Sequence, residues 1–558
     1  MSKIIIYQVF TRLFGNRNTS RIENGTIAEN GCGKLNDFDK KTLDSIRHLG
    51  VSHIWYTGVI RHATQTDYSK YGIPTQHPSV VKGKAGSPYA ICDYYDIDPD
   101  LATRVDRRMH EFEQLVKRTH AAGLKMIIDF VPNHVARQYQ SIAKPEGVVD
   151  LGQNDDKTQG FSPQNNFYYC PGCHFAPSFS VSDGTLRAYE EVPAKATGND
   201  HFDNAPGRND WYETVKLNYG VDYYAGRVGH FDPIPDTWHK MLHILRFWAA
   251  KGIDGFRCDM AEMVPAEFWA WVTRQVKEEY PDLLFIGEVY NPAEYRRYIA
   301  SGFDYLYDKV GMYDTLRHLT CSSDHVGAIT GAWQAVDDIA NHMLYFLENH
   351  DEQRIASRFF AGDGLKAVPA LVTSVFMRQN PFMLYAGEEY GERGMDHEGF
   401  SGCDGRTTIF DYWNIDTLCR AAWNTLTADE KKLFKLTSRV LQFAQNDTLI
   451  SEGDFFDLMY ANPGLNRQYA FLRHYCNALL LVVANFDGQP ADVNLTIPAH
   501  AFEFLGLDEK QASAVDVLTG AKMSFSLLPD QPLTVHVDGF SAVAYKMNCH
   551  RRGPMRSR

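Results

Sequence analysis

The sequence predicts an α/β protein: a (β/α)8 TIM barrel with a domain inserted after its third strand and an antiparallel β-sandwich domain at the C-terminal end. Three observations carry this. Short apolar, β-rich runs alternate with amphipathic helical stretches through the first two thirds of the chain. After the third run the alternation breaks, and residues 134–232 are rich in Asn, Asp, Gly, Pro and Tyr without sustained periodicity, too long a stretch for a plain loop. Beyond residue 445 the pattern changes again, to alternating runs separated by turn residues, as in an antiparallel sheet.

The strands of the barrel are expected at residues 4–10, 53–57, 126–130, 255–259, 284–288, 303–307, 343–348 and 382–386. Helices are expected between them. Residues 109–122 and 238–251 place apolar residues three and four apart and end near Gly123 and Gly252, as helices do. A further helical stretch, 428–443, precedes β runs at 478–486, 491–497, 533–537 and 541–547. The chain therefore divides into a barrel at 1–133 and 233–445, an inserted domain at 134–232, a β domain at 446–550 and a basic tail at 551–558. The tail, with Arg551, Arg552, Arg556 and Arg558, is short and terminal, and is expected to be solvated.

At 558 residues, 44% hydrophobic and 22% charged, the chain suits one large core plus smaller units. No apolar run is long enough to cross a bilayer. Lys+Arg 56 against Asp+Glu 69 leaves a net charge of -13, which disfavours nucleic acid or an anionic membrane as the main partner and suits a neutral ligand. Aromatic residues make up 13% of the chain, and flat rings pack well on the apolar faces of sugars, although most rings belong to cores. The stretch from Met1 to Phe10 is too short for a signal peptide and precedes no small-residue cleavage site, so the ten scattered cysteines are expected to be reduced thiols in a cytoplasm. Cys170-Pro171-Gly172-Cys173-His174 has the spacing of a c-type haem attachment site and of half a zinc site. With no export signal and no second ligand pair nearby, the plainer account is a loop with two free thiols.

Active-site residues of a parallel barrel come from the C-terminal ends of its strands. Polar residues concentrate there. The third run ends Asp129-Phe130-Val131-Pro132-Asn133-His134, the fourth Arg257-Cys258-Asp259, the fifth Gly287-Glu288 and the seventh Glu348-Asn349-His350-Asp351. Any one of these acids alone could be a helix cap or half an ion pair. Three carboxylates and an arginine at one barrel mouth are what glycoside hydrolysis requires: a nucleophile, a proton donor, and polar groups to hold an oxocarbenium-like transition state.

Taken in order, these segments resemble the four signatures of the α-amylase family of retaining glycoside hydrolases, over nearly the whole chain. Val215-Lys216-Leu217-Asn218 resembles the family's fifth signature in its neopullulanase-like and oligosaccharide-acting members. The resemblance implies that Asp259 is the nucleophile, Glu288 the general acid/base and Asp351 the carboxylate that binds the distorted sugar. It implies sugar binding by Tyr89, Asp129, His134, Arg257 and His350. Arg354 is similar to a residue of members acting on short α-glucosides, or is simply ion-paired to a neighbour. No cofactor is needed for the chemistry; Asn133 resembles a ligand of the family's structural calcium, and is the single oxygen nameable among the six to eight such a site takes. The implied partner is an α-glucan or maltooligosaccharide; the oligomeric state is left open.

Elementary electrostatics supports this division of labour. Arg257 lies two residues before Asp259, hence on the same face of the strand, where it is expected to keep Asp259 ionised. Glu288 follows the apolar run 283–286, and burial is expected to raise its pKa toward that of a usable acid. Ending adjacent strands, the two carboxyl groups should lie about 5–5.5 Å apart, the separation for a retaining mechanism.

One segment departs from the family pattern. Typical α-amylases carry Lys and His after the nucleophile, whereas this chain has Asp259-Met260-Ala261-Glu262-Met263. The expectation is an enzyme of small oligosaccharides or branched glucans more than of long polymers. Two other readings stay open: a transglycosylase or isomerase using the same glycosyl-enzyme, and a non-catalytic sugar-binding relative.

Overall fold

The computed structural model describes residues 2–179, 188–395, 400 and 402–549; the basic tail expected at 551–558 lies outside them. Eight parallel strands close the barrel: β1 (Ile5–Phe10), β2 (His53–Thr57), β3 (Lys125–Phe130), β4 (Gly255–Cys258), β5 (Leu284–Gly287), β6 (Tyr305–Tyr307), β7 (Met343–Phe346) and β8 (Phe382–Tyr385). Nearly every residue in them is buried, because a parallel sheet is covered on both faces, which is why each read as a continuous apolar run. Ile6, Trp55, Ile127, Ile286, Leu344 and Met383 pack as a separate cluster with Tyr307 and Phe346, the side-chain filling expected inside a barrel.

Register sets the level of the site. Arg257 on β4 lies opposite Asp129 on β3 and Ile286 on β5. One step past the ladder, the amide of Asp259 donates to Phe130 O at 2.9 Å and that of Glu288 to Cys258 O at 3.1 Å. Both acids are thus held by backbone pairing at the C-terminal rim, not on free loops. Outside the barrel, α1 (Arg108–Ala121) and α2 (Asp236–Ala249) bury one face each and stop where expected: Gly123 and Gly252 take φ of 75° and 87°, a conformation open to glycine at little cost.

The inserted segment begins where β3 ends. Its first strand, His134–Ala136, pairs antiparallel with Thr214–Lys216, so that His134 lies opposite Lys216; two smaller hairpins, Tyr169–Cys170 with Ala194–Lys195 and Val221–Asp222 with Val228–Gly229, complete the described part. The segment therefore stands over the barrel mouth. Cys170 and Cys173 are free thiols at a turn, closed by Cys173 N–H donating to Cys170 O at 3.0 Å, with Cys173 exposed.

C-terminal to α3 (Ala428–Asn446), the strands β9 (Asp454–Asp457), β10 (Gln468–Tyr475), β11 (Ala478–Asn485), β12 (Ala491–Thr496), β13 (Lys510–Asp516), β14 (Lys522–Leu527), β15 (Pro532–Val537) and β16 (Ser541–Asn548) form two antiparallel sheets. Six strands run in the order β9-β10-β11-β16-β13-β14, and β12 pairs with β15. Between the sheets pack Leu479, Leu481, Val493, Leu495, Val535 and Tyr545. Buried Arg473 bolts this domain to the barrel, donating to Met377 O at 2.5 Å and to Ile450 O and Gly453 O at 2.8 Å. Among the described residues no helix is long and apolar enough to cross a membrane.

Candidate active site

A cavity of about 440 Å³ opens at the C-terminal mouth of the barrel, and Tyr89, His134, Asp259, Glu288, His350 and Asp351 all line it. At its floor one guanidinium joins two carboxylates: Arg257 Nη1 donates to Asp259 Oδ1 at 2.7 Å, and Nη2 stands 2.7 Å from Glu288 Oε2. Arg257 is itself held by Tyr307, whose hydroxyl accepts from Nε at 3.2 Å, with Trp55 and Tyr89 rings around it. Asp129 lies 3.9 Å from Nη1 and accepts from Gly58 N–H at 3.0 Å. Neither Arg257 nor Asp129 is among the residues that line the cavity.

Burial acts on the acids against this single arginine. It raises the pKa of Asp259 well above the ordinary aspartate range, with the charge of Arg257 opposing and that of Glu288 adding. Asp129 is pushed up to about 6 by burial, again with Arg257 opposing. Arg257 thus acts on Asp259 in the expected direction, toward the ionised form, and burial acts against it. The two acids differ in their donors. Glu288 accepts from the amide of Met260 at 2.8 Å on Oε2 and from the hydroxyl of Tyr290 at 2.5 Å on Oε1, with Arg257 Nη2 beside it as an ion-pair partner, whereas Asp259 accepts from Arg257 on Oδ1 and has His134 Nε2 4.0 Å from Oδ2. Met260 reaches Glu288 because it sits in the left-handed region, φ 44° and ψ 43°, an uncommon place for a residue with a side chain.

The two histidines are neutral. Burial lowers the pKa of His134 and of His350 to about 3. His350 Nδ1 lies 2.8 Å from Gln8 Nε2, which also donates to Thr57 Oγ1, so Nδ1 accepts and Nε2 carries the hydrogen. That hydrogen faces Tyr89 OH at 2.6 Å and Asp351 Oδ2 at 3.1 Å. A neutral N–H donor beside a carboxylate is suited to pairs of sugar hydroxyls.

Two expected site residues lie elsewhere. Arg354 is fully buried and donates to Glu348 Oε2 and Thr407 Oγ1 at 2.8 Å and Ala386 O at 3.0 Å; it is ion-paired and does not line the cavity. Asn133 Oδ1 accepts from the ammonium of Lys216, which also meets Asp200 Oδ1 at 2.7 Å and Met263 O at 3.2 Å. A cation already stands among these oxygens, so the set does not fit a calcium. Among the described residues no group of three His, Cys, Asp or Glu could hold a metal ion.

Sequence reasoning missed several lining residues: Tyr290, Trp211, Lys82, which pairs with Glu213 at 3.0 Å, and the segment Asp404–Phe410. Tyr290 was within reach of it, since the two-residue spacing that put Arg257 beside Asp259 also puts Tyr290 beside Glu288. The others come from loops distant in sequence, with no periodicity to flag them.

An arginine between two carboxylates, with a third carboxylate and two neutral histidines at the mouth of a (β/α)8 barrel, defines the class: a barrel protein with the layout of glycoside hydrolysis. The chain belongs to the alpha-amylase family; the model of the alpha amylase catalytic domain matches residues 8–447. It is 24% identical to alpha-amylase MalA of Haloarcula japonica over 94% of this chain and 61% of that one, so it spans about three fifths of that relative's length. It is 22% identical to the trehalose-6-phosphate hydrolase of Bacillus subtilis, over 88% of this chain and 91% of the relative. Among solved structures, the maltogenic alpha-amylase AmyB of Thermotoga neapolitana shares the fold, with a TM-score of 0.63 at 19% identity over 98% of both chains.

Proposed function

We propose that this chain is a retaining glycoside hydrolase that cleaves α-1,4 glucosidic bonds, and α-1,6 bonds in branched substrates, of maltooligosaccharides or related α-glucans. The observation that carries this is Arg257 bridging Asp259 and Glu288 at 2.7 Å each. With Oδ1 held by Arg257, Asp259 Oδ2 is the oxygen that attacks the anomeric carbon while Glu288 gives its proton to the departing oxygen. Glu288 then takes a proton from water, whose oxygen displaces Asp259 and restores the starting configuration. His350 and Asp351 hold hydroxyls of the distorted ring. Ten free cysteines support a reducing compartment, the cytoplasm, and Lys216 takes the place of a structural calcium.

A second reading, transglycosylation, is favoured by a second cavity of about 570 Å³ lined by Glu262, Met263, Asn291 and Tyr223, of which Glu262 and Met263 follow the nucleophile and Asn291 the acid/base in the chain. It offers room for an acceptor sugar. Chromatography after incubation with maltotriose separates the readings: shorter products alone mean hydrolysis, longer ones mean transfer, and no products at all mean a non-catalytic relative. Proton NMR of the first minutes should show the α-anomer; β-anomer would overturn retention. Activity on maltooligosaccharides, pullulan and cyclodextrins should exceed that on starch granules, given Glu262 and Met263 in place of Lys and His.

A further inference from the structure

We propose that Tyr290 is a positioning residue for Glu288, its hydroxyl selecting the carboxyl oxygen that exchanges the proton with the sugar; this rests on the reading of Glu288 as acid/base. The two oxygens of Glu288 are not equivalent. Oε2 faces Arg257 Nη2 at 2.7 Å and accepts from Met260 N–H at 2.8 Å. An arginine and a backbone amide are donors only and cannot turn into acceptors, so a proton on Oε2 would face two other donors. The proton is carried on Oε1.

Oε1 has a partner of a different kind. Tyr290 OH donates to it at 2.5 Å. A hydroxyl can donate to a carboxylate and, by rotating, accept from a carboxylic acid, so it can stay bonded to Oε1 in both states that a general acid/base passes through. Burial, then the charge of Glu288, raises the pKa of Tyr290 well above that of a free phenol, which keeps the hydroxyl's hydrogen in place. The other groups that face Glu288 are Asp129, Asp259, Tyr307, His350 and Asp351. Among the described residues none of these has a hydrogen bond to Oε1.

The position of Tyr290 is built by the departure from the family pattern. Glu262 Oε2 accepts from the amides of Tyr290 and Asn291, each at 3.0 Å. The acid that stands where the family has a lysine thus pins the segment following Glu288, and with it the phenol.

The test is Tyr290→Phe, which keeps the ring and removes only the hydroxyl, assayed as kcat/KM on maltotriose and on α-glucosyl fluoride. Fluoride leaves without full protonation, so formation of the glycosyl-enzyme from it needs little from the acid. Maltotriose turnover should fall about tenfold or more while kcat/KM on the fluoride stays within about twofold. A merely structural role would lower both together, and that result, or no change in either, would overturn the inference. Glu288→Gln on the same pair separates this from the reading beneath it: a normal rate on maltotriose removes Glu288 as acid/base, whereas loss on maltotriose alone leaves Tyr290 to be judged by its own variant.

Discussion

Arg257 and Glu288 stand 2.7 Å apart, and the same guanidinium is hydrogen-bonded to Asp259 at 2.7 Å. Its fork lies against both of the proposed catalytic carboxylates at once, from a strand whose register places Asp129 on one side and Ile286 on the other. A lysine would keep the charge but offers a single point of contact. Arg257→Lys should therefore lower kcat/KM on maltooligosaccharides by about 10²–10³-fold, the order found for losing a preorganised electrostatic contact, while circular dichroism stays unchanged. Normal kinetics would show that the bridge is not part of the chemistry.

A second prediction concerns pH. His134 and His350 are buried neutral, with pKa lowered to about 3 in the folded protein against about 6.5 unfolded. The unfolded chain binds the extra protons below pH 6.5, so the stability these residues contribute is present above 6.5 and is lost as pH falls from there toward 3. Asp129, raised to about 6, acts with the opposite sign: its cost to stability disappears as pH falls through 6. Replacing His350 by Gln should make denaturant-measured stability less steep in this window by about 1.4 kcal/mol per pH unit, one proton's worth. In NMR, neither imidazole should titrate between pH 5 and 8; a midpoint near 6.5 for either would contradict the burial argument.

Much of this was legible in the sequence, for identifiable reasons. The barrel strands are buried on both faces and so stood out as apolar runs; the acids ending them could be read because a parallel barrel has only one chemical end. The expected run 303–307 shortened to Tyr305–Tyr307, as it pairs on each side over two residues only. Strands β13 and β14 went unseen because their alternating polar faces are exposed and carry small or charged residues such as Ser513, Lys522 and Ser524 instead of β-formers. Electrostatic balance was harder. A strand end says which acids share a face, but not how many donors each receives, and the left-handed turn at Met260 that aims an amide at Glu288 has no glycine to announce it.

The third prediction concerns metal dependence. With Lys216 among Asn133, Asp200 and Met263, chelation by EDTA should leave both Tm and activity where they were. Lys216→Met should instead lower stability by roughly 3 kcal/mol, the lower end for removing one member of a buried ion pair, here discounted because Asp200 is partly exposed at 23%. A fall in Tm on chelation, reversed by added calcium, would restore the calcium expectation.

The last prediction separates the two proposed catalytic carboxylates by what each step needs from them. A proton donor matters when the leaving group is poor, whereas a nucleophile is needed for every substrate. Glu288→Ala should abolish hydrolysis of maltooligosaccharides yet form the glycosyl-enzyme from α-glucosyl fluoride at a rate close to normal. Water then lacks its base, and the intermediate should accumulate on Asp259, where mass spectrometry would find a glycosylated peptide. Azide needs no deprotonation and should release it as an α-glycosyl azide. Asp259→Ala, lacking the carboxylate that forms the covalent bond, should show no labelled peptide and no α-glycosyl azide from either substrate. Label on Asp351 instead, or normal maltooligosaccharide hydrolysis by Glu288→Ala, would mean that the arginine-bridged pair is not the one that makes and breaks the bond.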